Sequence, residues 1–564
     1  MRKNKNTNSK SILTFNHNDK GVVLFPVLIF IVWLLTLLIC GFFLDDTFEF
    51  DEAKYLATAR GIIQGFDFSS RSTTVMGLVK HGFPQNTTHY PLNSLYIAIF
   101  FKLFGISLNV AYFSTWFAVL IACLFIYFTA LLVTENNKKF SFFIAISFLF
   151  FPRVINYSNS VMMEVPGCAL ISFLSFLIFK NISKGKLNPL FLAVAGLWLY
   201  FYKSLFVGVI FGLVVLIIIF YKSQLTGLKI QEKSSVYLSL SLFLGTLFII
   251  YFIFTKIIFL SLGPWLVFDF KQVETGTYAD YDGGFFSDIS GNIIVHLSAF
   301  FSRVISHYYP FLTIYPSKAE ALYNITPHWF ELAIYFLALF YTSIFTFCLW
   351  KKFNPIQRIF ILFSTSTIVI FNLILIFFIG TSVGGLCRYN MIYVPLLTIS
   401  FGIVLSVILN YCKPLISQYK RESKFLILSF IILVYLPYFY SASLVKQWND
   451  NFYYNVAHQN TEMIKNFIKD TKPAFIYFVE GTLITWDLFP IRDIYMEASN
   501  DDIKKINSIL PKPIGYLFLT PNNKLFKQNQ DSILKSQPII DNRYNFYGVD
   551  QENQVVVYKL NLGL

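Results

Sequence analysis

Apolar runs of roughly 17–25 residues recur along the first 444 residues, each long enough as a helix to cross a hydrocarbon core about 30 Å thick. Lipid offers backbone N–H and C=O groups no partner, so a chain with such runs is driven to a bundle of helices that satisfy themselves. Only 13% of the 564 residues are charged, while 55% are hydrophobic. That is about half the charged fraction of an ordinary soluble protein, which excludes a soluble globular class. The formal net charge is +14. A basic balance of this kind can signal nucleic acid, but here the cations collect in short connections between apolar runs, as the positive-inside rule expects. No nucleic-acid partner is implied; the partner is the lipid bilayer.

The first run, Gly21 to Phe43, follows a basic tail (residues 1–20) holding Arg2, Lys3, Lys5, Lys10 and Lys20. It is too long for a signal-peptide core and shows no small-residue cleavage site, so it reads as an uncleaved first span with its N-terminus in the cytoplasm. The clusters Lys138/Lys139, Lys180/Lys184/Lys186, Lys222/Lys229/Lys233, Lys351/Lys352/Arg358 and Lys413/Lys420/Arg421/Lys424 are then cytoplasmic as well. Spans that satisfy this placement fall near 110–134, 139–152, 162–180, 188–203, 205–221, 236–260, 328–350, 359–380, 389–411 and 425–444. Together with the first, that makes about eleven crossings, or up to about 13 if residues 291–316 form a hairpin of short spans. Pro91 to Gly105 is apolar but short and reads as re-entrant or interfacial. The transmembrane domain is thus 21–444, with an outer loop at 44–91, and the odd count puts residues 445–564 outside.

In that last segment the pattern changes. "AFIYFV", "GYLFLT" and "QVVVYKL" read as strands, and "NTEMIKNFIKD" and "DDIKKINSIL" as amphipathic helices, giving a soluble α/β domain. It carries no glycine-rich phosphate loop, zinc spacing or nucleophile elbow, so its role reads as structural or accessory. The six cysteines (40, 123, 168, 348, 387 and 412) have no regular spacing and suggest neither a disulfide framework nor a metal motif.

Four separated pieces converge on the outer face in this topology. "FEFDEAKY" places Asp51 and Glu52 at the head of a short helix, with Lys54 and Tyr55 close behind and Arg60 further along it. "NSVMMEVPG" places Glu164 at the outer mouth of a span, "YFYKSLF" places Lys203 at an outer turn, and "GGLCRYNMIYVP" places Arg388 and Tyr389 at another mouth. Ionisable groups at membrane depth are costly and usually pair or line a wet cavity. Carboxylates can take the proton from an incoming hydroxyl, and Lys and Arg can hold a phosphate as its charge grows.

The ordered set resembles the integral-membrane glycosyltransferases of the GT-C class. The nearest groups are the bacterial aminoarabinose transferases that modify lipid A, and relatives of the dolichyl-phosphate-mannose protein mannosyltransferases. "DEAKY" at Asp51 to Tyr55 is similar to their first-loop Asp-Glu pair, which contains the proposed catalytic aspartate. "HYPLNSLYIAIFFKLFG" (His89 to Gly105) is similar to their proline-containing helix, with His89 and Tyr90 at its start. Tyr90-Pro91 stands where the family reads Lys-Pro or Pro-Pro, so a phosphate-binding lysine is absent from that place. "MMEVP", "YKS" and "CRYNMIYVP" resemble the second acidic motif, a Thr-Lys-Gly element and a late Arg-Tyr element. The likeness spans most of residues 20–412 in order.

What the resemblance implies is a GT-C fold and transfer of a sugar from a polyprenyl-phosphate donor to a hydroxyl on a lipid, glycan or protein acceptor. The setting is the periplasmic or outer side of a bacterial inner membrane. Asp51, Glu52 and Glu164 are the candidate catalytic carboxylates, with Asp51 first as base. Lys54, Tyr55, Arg60, His89, Tyr90, Lys203, Arg388 and Tyr389 are the candidate substrate-binding residues. Each alone has a plainer reading: acidic residues favour a helix N-terminus, and Lys or Arg at a boundary snorkels to headgroups. His81 and His89 offer a divalent metal two ligands beside a carboxylate, or are simply loop polarity; no metal residue is assigned. The rival reading is a transporter or flippase of a lipid-linked or anionic substrate. Transporters often show two related halves with interrupted helices at matching positions; no such repeat is present, and the charges gather at one face.

Overall fold

The computed structural model describes residues 20–43, 50–65, 92–202, 206–222, 235–254, 346–374, 390–418, 475–478, 494–495, 500–509, 514–521, 524–550 and 555–561. Up to residue 418 these are almost entirely helical: α1 Lys20–Phe43, α2 Phe50–Gly65, α3 Leu92–Phe104, α4 Leu108–Val133, α5 Lys138–Leu149, α6 Pro152–Ser158, α7 Glu164–Ile182, α8 Pro189–Tyr202, α9 Val207–Tyr221, α10 Val236–Ile253, α11 Pro355–Ile374 and α12 Val394–Gln418. Five segments among the described residues are long and apolar enough to cross a membrane: Val23–Cys40, Leu108–Val133, Glu164–Ile182, Val236–Ile253 and Met391–Tyr411. Four shorter apolar helices accompany them. The span expected at 139–152 is instead the twelve-residue α5, about 18 Å long and too short to cross. The expected spans at 328–350 and 425–444, and the helix "NTEMIKNFIKD", lie wholly or largely outside the described residues.

Local chemistry sets where several helices begin. Ser107, Asn137 and Ser235 each accept a backbone N–H three residues on, at 3.1–3.2 Å. Asn354 and Gln357 form a reciprocal capping box at the head of α11, with bonds of 2.8 and 3.0 Å. Helix faces then sort by solvent. On α1 the buried residues Ile29, Trp33 and Thr36 recur at helical spacing, while Val27, Phe30, Leu34 and Leu38 point outward. An exposed apolar stripe of that size on a helix suits lipid, not water. α4 is the central helix, 72% of its apolar window being buried, and it packs chiefly against α7 and α5.

Polar contacts along α4 mark two ends of the bundle. At one end Trp33 Nε1 donates to Trp116 O at 2.8 Å, Trp116 Nε1 to Asn159 Oδ1 at 2.7 Å, and Asn159 Nδ2 to Cys40 O at 3.1 Å. Thr115 Oγ1 donates to Ser160 O at 2.9 Å alongside. At the other end Gln357 Nε2 donates to Val133 O at 2.9 Å and Asn354 Nδ2 to Glu135 Oε1 at 3.0 Å. Thr115 and Val133 are separated along the helix by about 27 Å, close to the thickness of a hydrocarbon core. Lys138, Lys139, Lys351, Lys352 and Arg358 gather at the second end. Phe179 packs against Phe360 there (ring centroids 4.7 Å) beside Lys180, and Phe25 packs on Phe142 (5.5 Å) near the start of α1. The Lys138/Lys139 and Lys351/Lys352/Arg358 clusters thus share one end with the start of α1.

Asn159→Leu is expected to strand Trp116 Nε1 and Cys40 O in an apolar surrounding. The cost should be about 1–3 kcal/mol for each stranded group, read as a lowered Tm of the purified protein in detergent.

The C-terminal residues form one five-stranded sheet of β1 Phe475–Phe478, β2 Ile494–Tyr495, β3 Ile514–Leu519, β4 Tyr544–Asp550 and β5 Val555–Leu560, in the order β2-β1-β3-β5-β4. β2, β1 and β3 run parallel, and β5 and β4 add antiparallel. The helices α13 Asn500–Ile509, α14 Lys524–Gln528 and α15 Gln530–Leu534 complete it. β3 is buried along its whole length because both faces are covered. Leu517, Leu519, Tyr544 and Tyr558 pack with Ile503, Leu525 and Ile533 of the helices. Tyr516, Phe518, Val555 and Val557 on the opposite face belong to the same buried apolar cluster as the membrane helices. "AFIYFV", "GYLFLT", "DDIKKINSIL" and "QVVVYKL" therefore contain the strands and helix expected of them.

Candidate functional site

Glu164 opens α7, within the expected span 162–180, and is fully buried. It stands at the end of the bundle marked by Asn159 and Ser160, away from the basic clusters. Three other segments meet it. The hydroxyl of Tyr202, the last residue of α8, contacts the carbonyl of Met163 at 3.1 Å and Asn93 Oδ1 at 2.8 Å. One turn into α7, Cys168 Sγ donates to Met391 O at 3.2 Å, in the 3-10 turn Asn390–Tyr393. The start of α7, the end of α8, the first turn of α3 and the head of α12 therefore form one hub.

Gly167 permits this close approach. A Cβ there would meet Phe206 Cζ at 3.1 Å and Ile392 Cγ2 at 3.3 Å. Tyr393 completes the packing, with its ring 4.5 Å from Phe371 and 6.4 Å from Phe206. Phe206 follows the segment of Lys203, and Met391 to Tyr393 follow Arg388 and Tyr389. The chain on either side of Lys203 and just after Arg388 is thus drawn to Glu164.

Of the residues singled out from sequence, Glu164, Tyr55 and Arg60 are buried inside the bundle. Asp51, Glu52 and Lys54 fall in the first turns of α2, which packs chiefly against α3, the helix that brings Asn93 to the hub. Ile62 of α2 and Leu92 of α3 both pack on Leu197 and Phe201 of α8. His81, His89, Tyr90, Lys203, Arg388 and Tyr389 lie outside the described residues. No group of three His, Cys, Asp or Glu suited to a metal occurs among the described residues. Sequence reasoning passed over Asn93, Tyr202 and Gly167. An asparagine two residues past a proline, a tyrosine in an aromatic run and a glycine after "MMEVP" carry no signal until their partners are known.

No protein-family model matches the chain, and no curated protein matches it. Fourteen chains of solved structures match. The crystal structure of ArnT from Cupriavidus metallidurans bound to undecaprenyl phosphate aligns over 96% of this chain and 98% of that one, with 12% identity and a TM-score of 0.55. The same protein in the apo state aligns over 95% and 97%, with 12% identity and a TM-score of 0.49. The fold is that of ArnT. The expected architecture, a GT-C membrane helical domain followed by a small α/β unit, is the one observed, and the chain is an integral membrane protein.

Proposed function

We propose that the chain is a GT-C glycosyltransferase that moves a sugar from a polyprenyl-phosphate donor to a hydroxyl of a lipid, glycan or protein acceptor on the outer membrane face. The observation that carries this reading is the hub: a buried carboxylate, Glu164, lies where Tyr202 and Phe206, on either side of Lys203, come together with Met391 and Ile392, just after Arg388. The fold shared with a protein crystallised with undecaprenyl phosphate supports it.

Asp51 takes the proton of the acceptor hydroxyl, and the freed oxygen attacks the anomeric carbon from the face opposite the donor phosphate. The bond from that carbon to the phosphate oxygen breaks, polyprenyl phosphate leaves with the electron pair, and the anomeric centre is inverted. Lys203 and Arg388 bind the phosphate as its charge grows, while Tyr389 and Tyr55 orient it. Glu164 and Glu52 are the partner carboxylates. Incubating the purified protein with a panel of polyprenyl-phosphate sugars and membrane acceptors tests the reaction. A sugar-modified acceptor supports it, and release of no polyprenyl phosphate from any donor counts against it.

The orientation has its own test. Single cysteines at Asn136, in the turn between α4 and α5, and at Asp51 are introduced after replacing the six native cysteines. The first should react with a membrane-impermeant maleimide only after the membrane is opened, the second without opening. The reverse pattern would put the site on the cytoplasmic side.

A further inference from the structure

The first turn of α3 carries a side-chain donor that nothing among the described residues uses. α3 has 13 residues; its leading backbone N–H groups are left over by intrahelical bonding, and its dipole favours negative charge there. Asn93 is the second residue of this helix and is fully buried. Its Oδ1 accepts from the Tyr202 hydroxyl at 2.8 Å, but its Nδ2 is buried with no hydrogen-bond partner among the described residues. The same hydroxyl also lies 3.1 Å from Met163 O, so its one hydrogen is shared between two acceptors, with Asn93 Oδ1 the nearer. A buried amide donor is costly to leave unmade and is satisfied when something accepts from it.

We propose that Asn93 is a further substrate-binding residue, its Nδ2 donating to a phosphate oxygen of a polyprenyl phosphate, with Tyr202 as the residue that positions the carboxamide. The inference rests on the reading of the site as a polyprenyl-phosphate transferase. A phosphate oxygen suits this place because it only accepts, and because the helix terminus beneath it favours an anion.

The test measures affinity of the full-length protein in nanodiscs for undecaprenyl phosphate, together with Tm in the absence of ligand. Asn93→Leu removes the donor while keeping the volume. Affinity should fall about ten- to a hundredfold, the loss of a hydrogen bond to a charged group. Tm should hold or rise, because an unpaired buried donor is also removed. Tyr202→Phe should weaken binding less, and the double variant should be no weaker than Asn93→Leu, since both act through one contact. Undecaprenol, which lacks the phosphate, should bind wild type and Asn93→Leu alike. Inorganic phosphate should compete only at far higher concentration than undecaprenyl phosphate.

Wild-type protein that binds no undecaprenyl phosphate overturns the transferase reading and this inference with it. Wild-type binding that Asn93→Leu leaves unchanged, while Tm drops, overturns this inference alone and makes the residue structural. An equal loss for undecaprenol removes the phosphate contact, and competition by inorganic phosphate at equal concentration removes the lipid as its source.

Discussion

Asp51→Asn is expected to abolish transfer while leaving the fold and binding of undecaprenyl phosphate intact. Asparagine keeps the shape of the side chain but cannot take a proton from the acceptor, so the loss falls on kcat, by about 10²–10⁴-fold for a general base. Product formation under saturating donor checks it, beside a direct measurement of undecaprenyl phosphate affinity. Glu52→Gln is the paired control. Both residues lie in the first turn of α2, and neighbours on a helix point about 100° apart, so one substitution should be far more damaging than the other. A dead Glu52→Gln beside an active Asp51→Asn transfers the base to Glu52. Full activity in both ends the mechanism proposed above. Lys203→Ala should differ in kind, lowering donor affinity and rate together, because it removes charge from both the ground-state complex and the departing phosphate.

Gly212→Ala is expected to be the most damaging small substitution in the membrane domain. α9 and α11 cross closely along the face of Gly208 and Gly212. A Cβ at Gly212 would overlap Thr367 Oγ1 and lie 3.0 Å from Thr367 Cβ, and one at Gly208 would lie 2.6 Å from Phe371 Cβ. Small residues four apart let helix backbones approach in lipid, where van der Waals contact drives association. Forcing a methyl into that contact should cost about 1–3 kcal/mol. It should also disturb the site, because Phe371 packs on Tyr393 at the head of α12. The same change at Gly245 in α10, where no atom lies within 4 Å of the added Cβ, should be neutral or stabilising by up to about 1 kcal/mol through helix propensity alone. The Tm of the two variants in one detergent decides it: equal shifts would mean that the α9–α11 contact does not limit stability.

Hydropathy and charge, read along the chain, determine that this is a helical membrane protein, and much of where its spans run. They do so because each span is specified within a window of about 20 residues. Capping chemistry is equally local, as at Ser107, Ser235 and Asn354. The central strands β3 and β5 announce themselves by dense apolar residues. Edge strand β4, "YNFYGVD", does not, because an edge tolerates Asn, Gly and Asp and carries a bulge between Phe546 and Gly548. The run at 139–152 fits a crossing only by the alternation of the basic clusters around it; a turn at Phe150 and Phe151 ends α5 after twelve residues.

Glu164 could be named from its own surroundings, since a carboxylate at a span boundary is costly wherever it occurs. Its companions could not. Tyr202 lies 109 residues from Asn93 and 39 from Met163, and Cys168 lies 223 from Met391. Nothing in the local pattern of any of these segments encodes the other. Which of them meet is decided by how whole helices pack, by a glycine that lets two segments close on α7, and by a hydroxyl that can reach a carbonyl only after that packing is complete.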